Sequence, residues 1–558
     1  SLNEKVTEKI EVQPITSVAM GDIQNLISHR NMGDAAAAKA LEEAQENLRY
    51  AQETGYTPEL RRNFSLWSLL GVGFGLTNSW FGIAVSLITA VSSGGPMMIV
   101  YGIIIVASIS LATASTLSEL SSAYPSAGGQ YYWTAKLAPQ KYAPFLSYMC
   151  GAFSWAGSVF VSASVSLSIA SGLVGMYVLS KNDPDYVIST WSVFVTYELV
   201  NIFLVFFNIW EKPLPRLAQL ALYVSLLSFF VTMVTVLSKS SGHFNTAKFV
   251  FAEFMNNTGW SSSGIAFIVG LINPNWSFAC LDSATHMAEE LLHPERDIPK
   301  VIFGTVFLGF ITAFPYSISM FFSVRDLDTV ASSSTGVPIL AIFYQALGSR
   351  AGAIVLEVMV ILTAIGCNIQ SHTWQARLCW SFARDNGIPG SRYWSQINPR
   401  TKQPVNAHII SCVWCGIVGC IYMGSTTAYN ALVTAGIVFL YFSYIIPTIC
   451  LLIKGRNNIK HGPFWLGKVG LFANYVLILW TIFTTVFYSF PAVMPATGSS
   501  MNYVCVVLFV YTLYAVIYWF ARGHKKFRTL EDNQQGIEAL TLQLLNQVEQ
   551  LETILSHQ

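Results

Sequence analysis

The sequence predicts an all-α polytopic membrane protein of twelve transmembrane helices, the first and sixth of them broken at mid-depth. Three observations predict it. Hydrophobic residues make up 53% of the 558-residue chain and charged residues only 11%, whereas a soluble domain carries about 25% charged residues. The apolar residues fall into twelve runs, each long enough to cross a bilayer, which takes about 20 residues. Two of those runs, one and six, carry helix-breaking residues where a helix is most costly to interrupt.

The runs lie near residues 65–92, 96–120, 144–179, 186–210, 217–238, 262–287, 300–323, 351–376, 406–424, 428–453, 468–490 and 502–521. They are called spans one to twelve below. With a cytoplasmic N-terminus, the inner connections hold fifteen Lys and Arg residues (for example Lys136, Arg296, Arg377, Arg384 and Arg456) and the outer ones five (Lys181, Lys239, Lys248, Arg325 and Arg350). That bias orients the chain with both termini inside. It also places the sequon Asn256-Asn257-Thr258 outside, where it can carry a glycan.

The ends are different material. Residues 1–60 are polar and read as a cytoplasmic tail without a signal peptide, with a helix-prone stretch around Asp34–Gln52. Residues 61–525 read as the transporter domain and 526–558 as a second tail. There Ile537, Leu544, Val548, Leu551 and Leu555 recur at 3–4 spacing, as in a short amphipathic helix. A net charge of +1 gives no global field for nucleic acid. The nine cysteines are scattered, most of them in apolar runs, so neither disulfides nor structural zinc are expected. No metal, cofactor or catalytic residue is expected.

Span one has Gly71, Gly73, Gly75 and Gly82 around Thr77, Asn78 and Ser79; span six has Asn273-Pro274-Asn275. Bare backbone in a bilayer is tolerated only inside protein or beside a watery cavity. Interrupted helices at matching places in two halves of five spans point to a transporter binding site. The glycines alone are equally well explained by close helix packing. At 1.5 Å per residue, ten residues reach the midplane. Thr77, Pro274, Trp155, Thr363 and the stretch Phe439 to Tyr441 therefore share one depth, with Asn368 a turn deeper.

Midplane aromatics suit a quaternary ammonium, which has no N–H to donate and is held by ring faces. The candidate cage is Trp80, Trp155, Trp276, Phe278 and Tyr441. Asn78, Ser79, Asn275 and Asn368 can bind a hydroxyl or repair bare backbone. Intramembrane acids are expensive and usually functional. Asp282 can attract a cation or pair with His286, and Glu119, His286 and Glu289 are gating or coupling candidates. Glu198 lies mid-membrane in span four without an assigned role.

The residues Glu119-Leu120, Pro125 and Gly128-Gly129 after span two resemble the ELxxxxPxxGG signature of the amino acid–polyamine–organocation superfamily. Ala288-Glu289-Glu290 through Pro294 to Ile298-Pro299, and Trp380-Ser381-Phe382-Ala383-Arg384-Asp385-Asn386-Gly387, resemble it as well. Phe74 to Ile83 and Ile272 to Glu290 are similar to the fungal branch of choline, GABA and thiamine permeases. The resemblance covers about residues 60–525. It implies a five-plus-five inverted repeat (about 65–238 and 262–453), two extra helices (468–521), and a secondary transporter of the plasma membrane working by alternating access.

One departure bears on the substrate. Where amino-acid carriers of that superfamily have a Gly-Ser/Thr-Gly turn for the carboxylate, this chain has approximately Asn78-Ser79-Trp80. That favours choline or a related ammonium alcohol over GABA or another amino acid, with thiamine third and a non-transporting sensor behind them. Span five (Leu217–Ser238) has no Lys or Arg, where some relatives place a lysine in lieu of a coupling ion. Uptake driven by membrane potential and proton symport both remain open. No phosphate-binding GxxxxGK[ST] loop, HExxH or GxSxG motif is present, so nothing points to a pump or an enzyme.

Overall fold

Apolar runs in lipid must satisfy their own backbone, and the chain does this with helices. A computed structural model describes residues 34–54, 56, 58–181, 183, 186–498, 500–527, 545 and 548. Among them, eleven helices are long and apolar enough to cross a membrane. They match every expected span but the sixth. Span six is cut into Ser263–Gly270, Ile272–Trp276 and a 3₁₀ turn, Thr285–Glu290, so no single helix covers it. A further apolar helix, Pro338–Leu347, was not expected; at ten residues it is too short to cross.

The chain divides into two units. The first comprises Ser1–Arg62 and Leu530–Gln558. Its helix Asp34–Thr54 coincides with the expected helix-prone stretch, and Ala44, Asn47, Ala51 and Thr54 bury one face at 3–4 spacing. The amphipathic C-terminal helix expected from the sequence lies outside the described residues, except for Leu545 and Val548.

The second unit, Asn63–Thr529, holds all the spans. Span two (Gly95–Ala123) packs on span seven (Pro294–Ser323), span three (Ala143–Lys181) on span eight (Arg350–Arg384), and span four (Thr190–Val205) on span nine (Val405–Gly424). The second piece of span one packs on the short helix of span six. In each case a span meets the one five places later, as interleaved halves of five require. Spans three and ten (Thr426–Lys454) also pack together. Spans four, five, eleven and twelve turn large side chains such as Phe203, Phe230, Phe472 and Phe509 outward.

A two-residue antiparallel pair joins Ser93 and Gly94, at the end of span one, to Asn256 and Met255. The Asn256 amide donates to the Trp260 carbonyl at 2.8 Å, and its oxygen accepts from the Thr258 hydroxyl at 2.6 Å. The sequon is thus part of a tight turn.

Candidate substrate cavity

The break in span one is a single residue. Helix Leu66–Thr77 stops at Asn78, which is left-handed (φ 34, ψ 62). Helix Ser79–Ser92 starts immediately after it. Asn is among the few residues other than Gly that take this conformation. The glycines do not make the break. They let neighbours approach: a Cβ on Gly82 would stand 2.6 Å from the Ser277 hydroxyl.

Span six unwinds later than expected. Asn273-Pro274-Asn275 lies inside the short helix Ile272–Trp276, where proline in a first turn has no backbone bond to lose. The chain leaves helical geometry between Ser277 and Ala284, with Cys280 at φ 63. Asp282 therefore sits within the unwound stretch.

The two breaks complete each other. The Thr77 hydroxyl donates to the Ala279 carbonyl at 3.0 Å, and the Cys367 thiol of span eight to the Leu76 carbonyl at 3.0 Å. For Thr77 the contact is backbone repair. Asn275 accepts from the Tyr441 hydroxyl at 2.8 Å, while its amide nitrogen, buried, has no partner. Asn368 donates to the Ser166 hydroxyl at 2.7 Å and leaves its oxygen unpartnered, as does the hydroxyl of Ser79.

A cavity of about 520 Å³ adjoins the unwound stretch of span six at Trp276, within the range of about 300–1,000 Å³ usual for small-molecule sites. It is lined by spans one, three, six and ten and the connection between spans eleven and twelve. Trp276, Tyr429, Tyr488 and Phe490 supply its aromatic wall; Asn273, Asn430 and Asn502 supply amides. Among the described residues, none of its lining side chains is charged. The Trp276 indole is half-buried, donates to the Ser164 hydroxyl at 3.3 Å, and lies 6.4 Å from the Phe81 ring.

Of the candidate cage, only Trp276 reaches this space. Trp80 is fully buried against Phe229 and Tyr316, and its indole donates to Ser225 of span five at 2.9 Å. Asn78 accepts from that same Ser225 hydroxyl at 3.1 Å. Trp155 turns toward span nine, donating to Ser411 at 3.3 Å. Phe278 is buried near Gly309 of span seven. Depth says nothing about which way each helix faces.

The sequence profile of the amino acid permease family matches residues 64–511. The chain belongs to that family. It is 60% identical over 475 residues to the choline transporter of Saccharomyces cerevisiae, across 85% of this chain and 84% of that one. It is 35% identical to the 7-keto 8-aminopelargonic acid transporter of the same yeast, covering 82% and 90%, and 30% identical to amino-acid permease BAT1 of Arabidopsis thaliana, covering 87% and 96%.

In this permease the end of span six remote from the cavity is held by charge. Asp282 accepts from the Tyr444 hydroxyl at 2.6 Å and pairs with His286 at 3.2 Å. The other ring nitrogen of His286 lies 2.8 Å from the Ala127 carbonyl, in the signature loop. Both ring nitrogens of His286 thus face oxygen atoms. Glu289 pairs with Arg384 at 2.9 Å, Glu290 with Arg377 at 2.8 Å, and Glu119 with Arg456 at 2.8 Å. Glu119 also accepts from the Leu466 amide at 2.7 Å, which anchors the connection between spans ten and eleven.

The double glycine of the signature has a steric reason. Gly129 is at φ +54, and a Cβ there would lie 2.8 Å from the His286 ring. Gly129→Ala is expected to cost about 1–3 kcal/mol from the backbone alone and to push His286 off Ala127. Thermal unfolding of the purified protein checks it; an unchanged melting temperature would refute the role.

Sequence reasoning missed two features. Glu357 is the one acid in the apolar run of span eight. It is buried against Gly172, with one carboxylate oxygen unpartnered. The signal for it was its charge in a span. Contrary to the expectation of no metal-ligand pattern, span nine carries His408 and Cys412 four apart and Cys412 and Cys415 three apart.

Proposed function

We propose that this permease imports choline, or a closely related ammonium alcohol such as ethanolamine, across the plasma membrane. It does so as a secondary transporter by alternating access, with both termini in the cytoplasm, and is a carrier rather than an enzyme. The observation that carries the reading is the uncharged, aromatic wall of the cavity. A zwitterion needs an opposite charge or bare amides for its carboxylate. A trimethylammonium group needs neither: its positive charge is spread over methyl surface that ring faces attract, and its hydroxyl can bond to Asn273 or Asn502. The 60% identity to a protein named a choline transporter supports the same substrate.

Alternating access then amounts to opening the end of span six held by Glu289, Glu290 and the Asp282–His286 pair while the cavity closes over the cation. The membrane potential supplies about 2.3 kcal/mol per 100 mV for each charge carried inward. Uptake of labelled choline into proteoliposomes tests the reading, with ethanolamine, GABA, thiamine and proline as competitors. Saturable choline flux blocked by ammonium analogues and indifferent to GABA is the expected result. Flux of GABA without choline would overturn it and return the unpartnered Asn275 amide nitrogen to consideration as a carboxylate partner.

A further inference from the structure

His372 of span eight and His408 and Cys412 of span nine meet in the protein interior, away from the substrate cavity. Their exposures are 0%, 1% and 4%. The Cys412 sulfur lies 3.1 Å from Nδ1 of His372 and 3.6 Å from Nδ1 of His408. One donor atom from each residue falls within 4.8 Å of the other two. The two rings are edge to face, with centroids 5.6 Å apart.

Hydrogen bonding alone does not satisfy this trio. Nε2 of His408 faces the Val205 carbonyl at 3.0 Å and so carries that ring's proton, leaving Nδ1 a lone pair turned toward sulfur. A thiol has one proton and can serve only one of two Nδ1 lone pairs. Nε2 of His372 is buried without a partner, so moving that ring's proton between its nitrogens leaves one of them unmatched in either tautomer. A second polar arrangement is visible around His408: a metal-bound imidazole normally gives its remote N–H to a carbonyl or carboxylate, which fixes the ring.

We propose that His372, His408 and Cys412 form a binding site for a monovalent soft metal ion, copper(I), that ties span eight to span nine. Bonds of about 2.0–2.3 Å from one centre to nitrogen and sulfur put the donors about as far apart as they stand here. Thiolate and imidazole are the ligands soft ions select. Charge decides the valence. Copper(I) displaces the Cys412 proton to solvent, so thiolate, two neutral imidazoles and the ion sum to zero. A divalent ion would leave a net positive charge in a low-dielectric interior, and among the described residues no carboxylate hydrogen-bonds to the trio. The ion is a fixed part of the scaffold and is not carried.

The test uses the full chain with exposed Cys420 and Cys505 replaced by serine, expressed in copper-supplemented medium and purified under reduction. Elemental analysis is expected to give close to one copper per chain, falling at least five-fold in Cys412→Ser and in His372→Gln. X-ray absorption on the unsubstituted trio is expected to show one sulfur and two nitrogens around copper(I), a readout independent of how the variants fold. Copper below a tenth of an equivalent would overturn the site. So would copper retained in Cys412→Ser, or zinc bound in its place.

Discussion

Trp276→Ala is expected to raise the half-saturating choline concentration about thirty-fold while leaving the protein folded. The indole is the one sequence-predicted aromatic that borders the cavity, and it is half-buried rather than locked in the core. A desolvated cation–π contact is worth about 2 kcal/mol, and about 1.4 kcal/mol is a factor of ten in affinity. Truncation also frees the Ser164 hydroxyl from its 3.3 Å partner. That loss is small, because the hydroxyl lines the cavity and water can replace the indole N–H. Trp276→Phe keeps a ring face and is expected to stay within about five-fold of the parent, since Phe is the weaker cation–π partner. Trp80→Phe serves as the contrast. It leaves Ser225 without its indole partner and is expected to affect stability more than choline affinity. Concentration-dependent uptake separates the two. An unchanged half-saturating concentration in Trp276→Ala would sink the aromatic-wall reading and leave the fold intact.

How far the sequence could see depends on which physical signal each feature leaves. Span number and length follow from bilayer thickness, which any apolar run reports, and eleven of the twelve spans appear as helices long and apolar enough to cross, span one with a one-residue break at Asn78. The twelfth fails to appear as one for the reason the Asn-Pro-Asn run announced: span six is broken. The place of unwinding was legible only to within a turn. Proline is tolerated in a first turn, and the residues that do unwind, Ser277 to Ala284, have no strong breaker among them. A depth was assignable to each residue, from about 1.5 Å of rise apiece. Azimuth was not. An amphipathic helix in water shows which face is buried, but in a bilayer both faces of spans one and three are apolar or small, and nothing local told Trp80 to point at span five or Trp155 at span nine. The acids at the C-terminal end of span six stood out in the sequence because charge is costly in a bilayer. Their pairing, Glu289 to Arg384 and Glu290 to Arg377, required coordinates.

The second of those pairs carries the largest stability effect expected here. Arg377 is 0% exposed and Glu290 1%. The guanidinium grips both carboxylate oxygens, at 2.8 and 3.2 Å, and donates to Gln403 at 2.9 Å. Arg377→Ala leaves a carboxylate buried without its counter-ion, which costs about 3–5 kcal/mol. Arg377→Lys is not a rescue, because a point charge cannot hold two oxygens of a planar group at once. Replacing both partners with leucine removes the orphan charge and is expected to recover most of the lost stability, since apolar substitutes for a buried pair are often neutral. Thermal inactivation of detergent-solubilised protein ranks the three variants. The same double variant divides stability from transport. The Phe64 amide, just before span one, donates to the Glu290 carbonyl at 3.2 Å, so this corner joins spans one, six and eight. If the pair serves only to hold the fold, the stable double-leucine protein transports normally. If it also sets the balance between open and closed states, that protein folds and binds choline but carries it slowly, which is the result expected. A double variant no more stable than Arg377→Ala would show that the cost lies in lost packing rather than in the stranded charge.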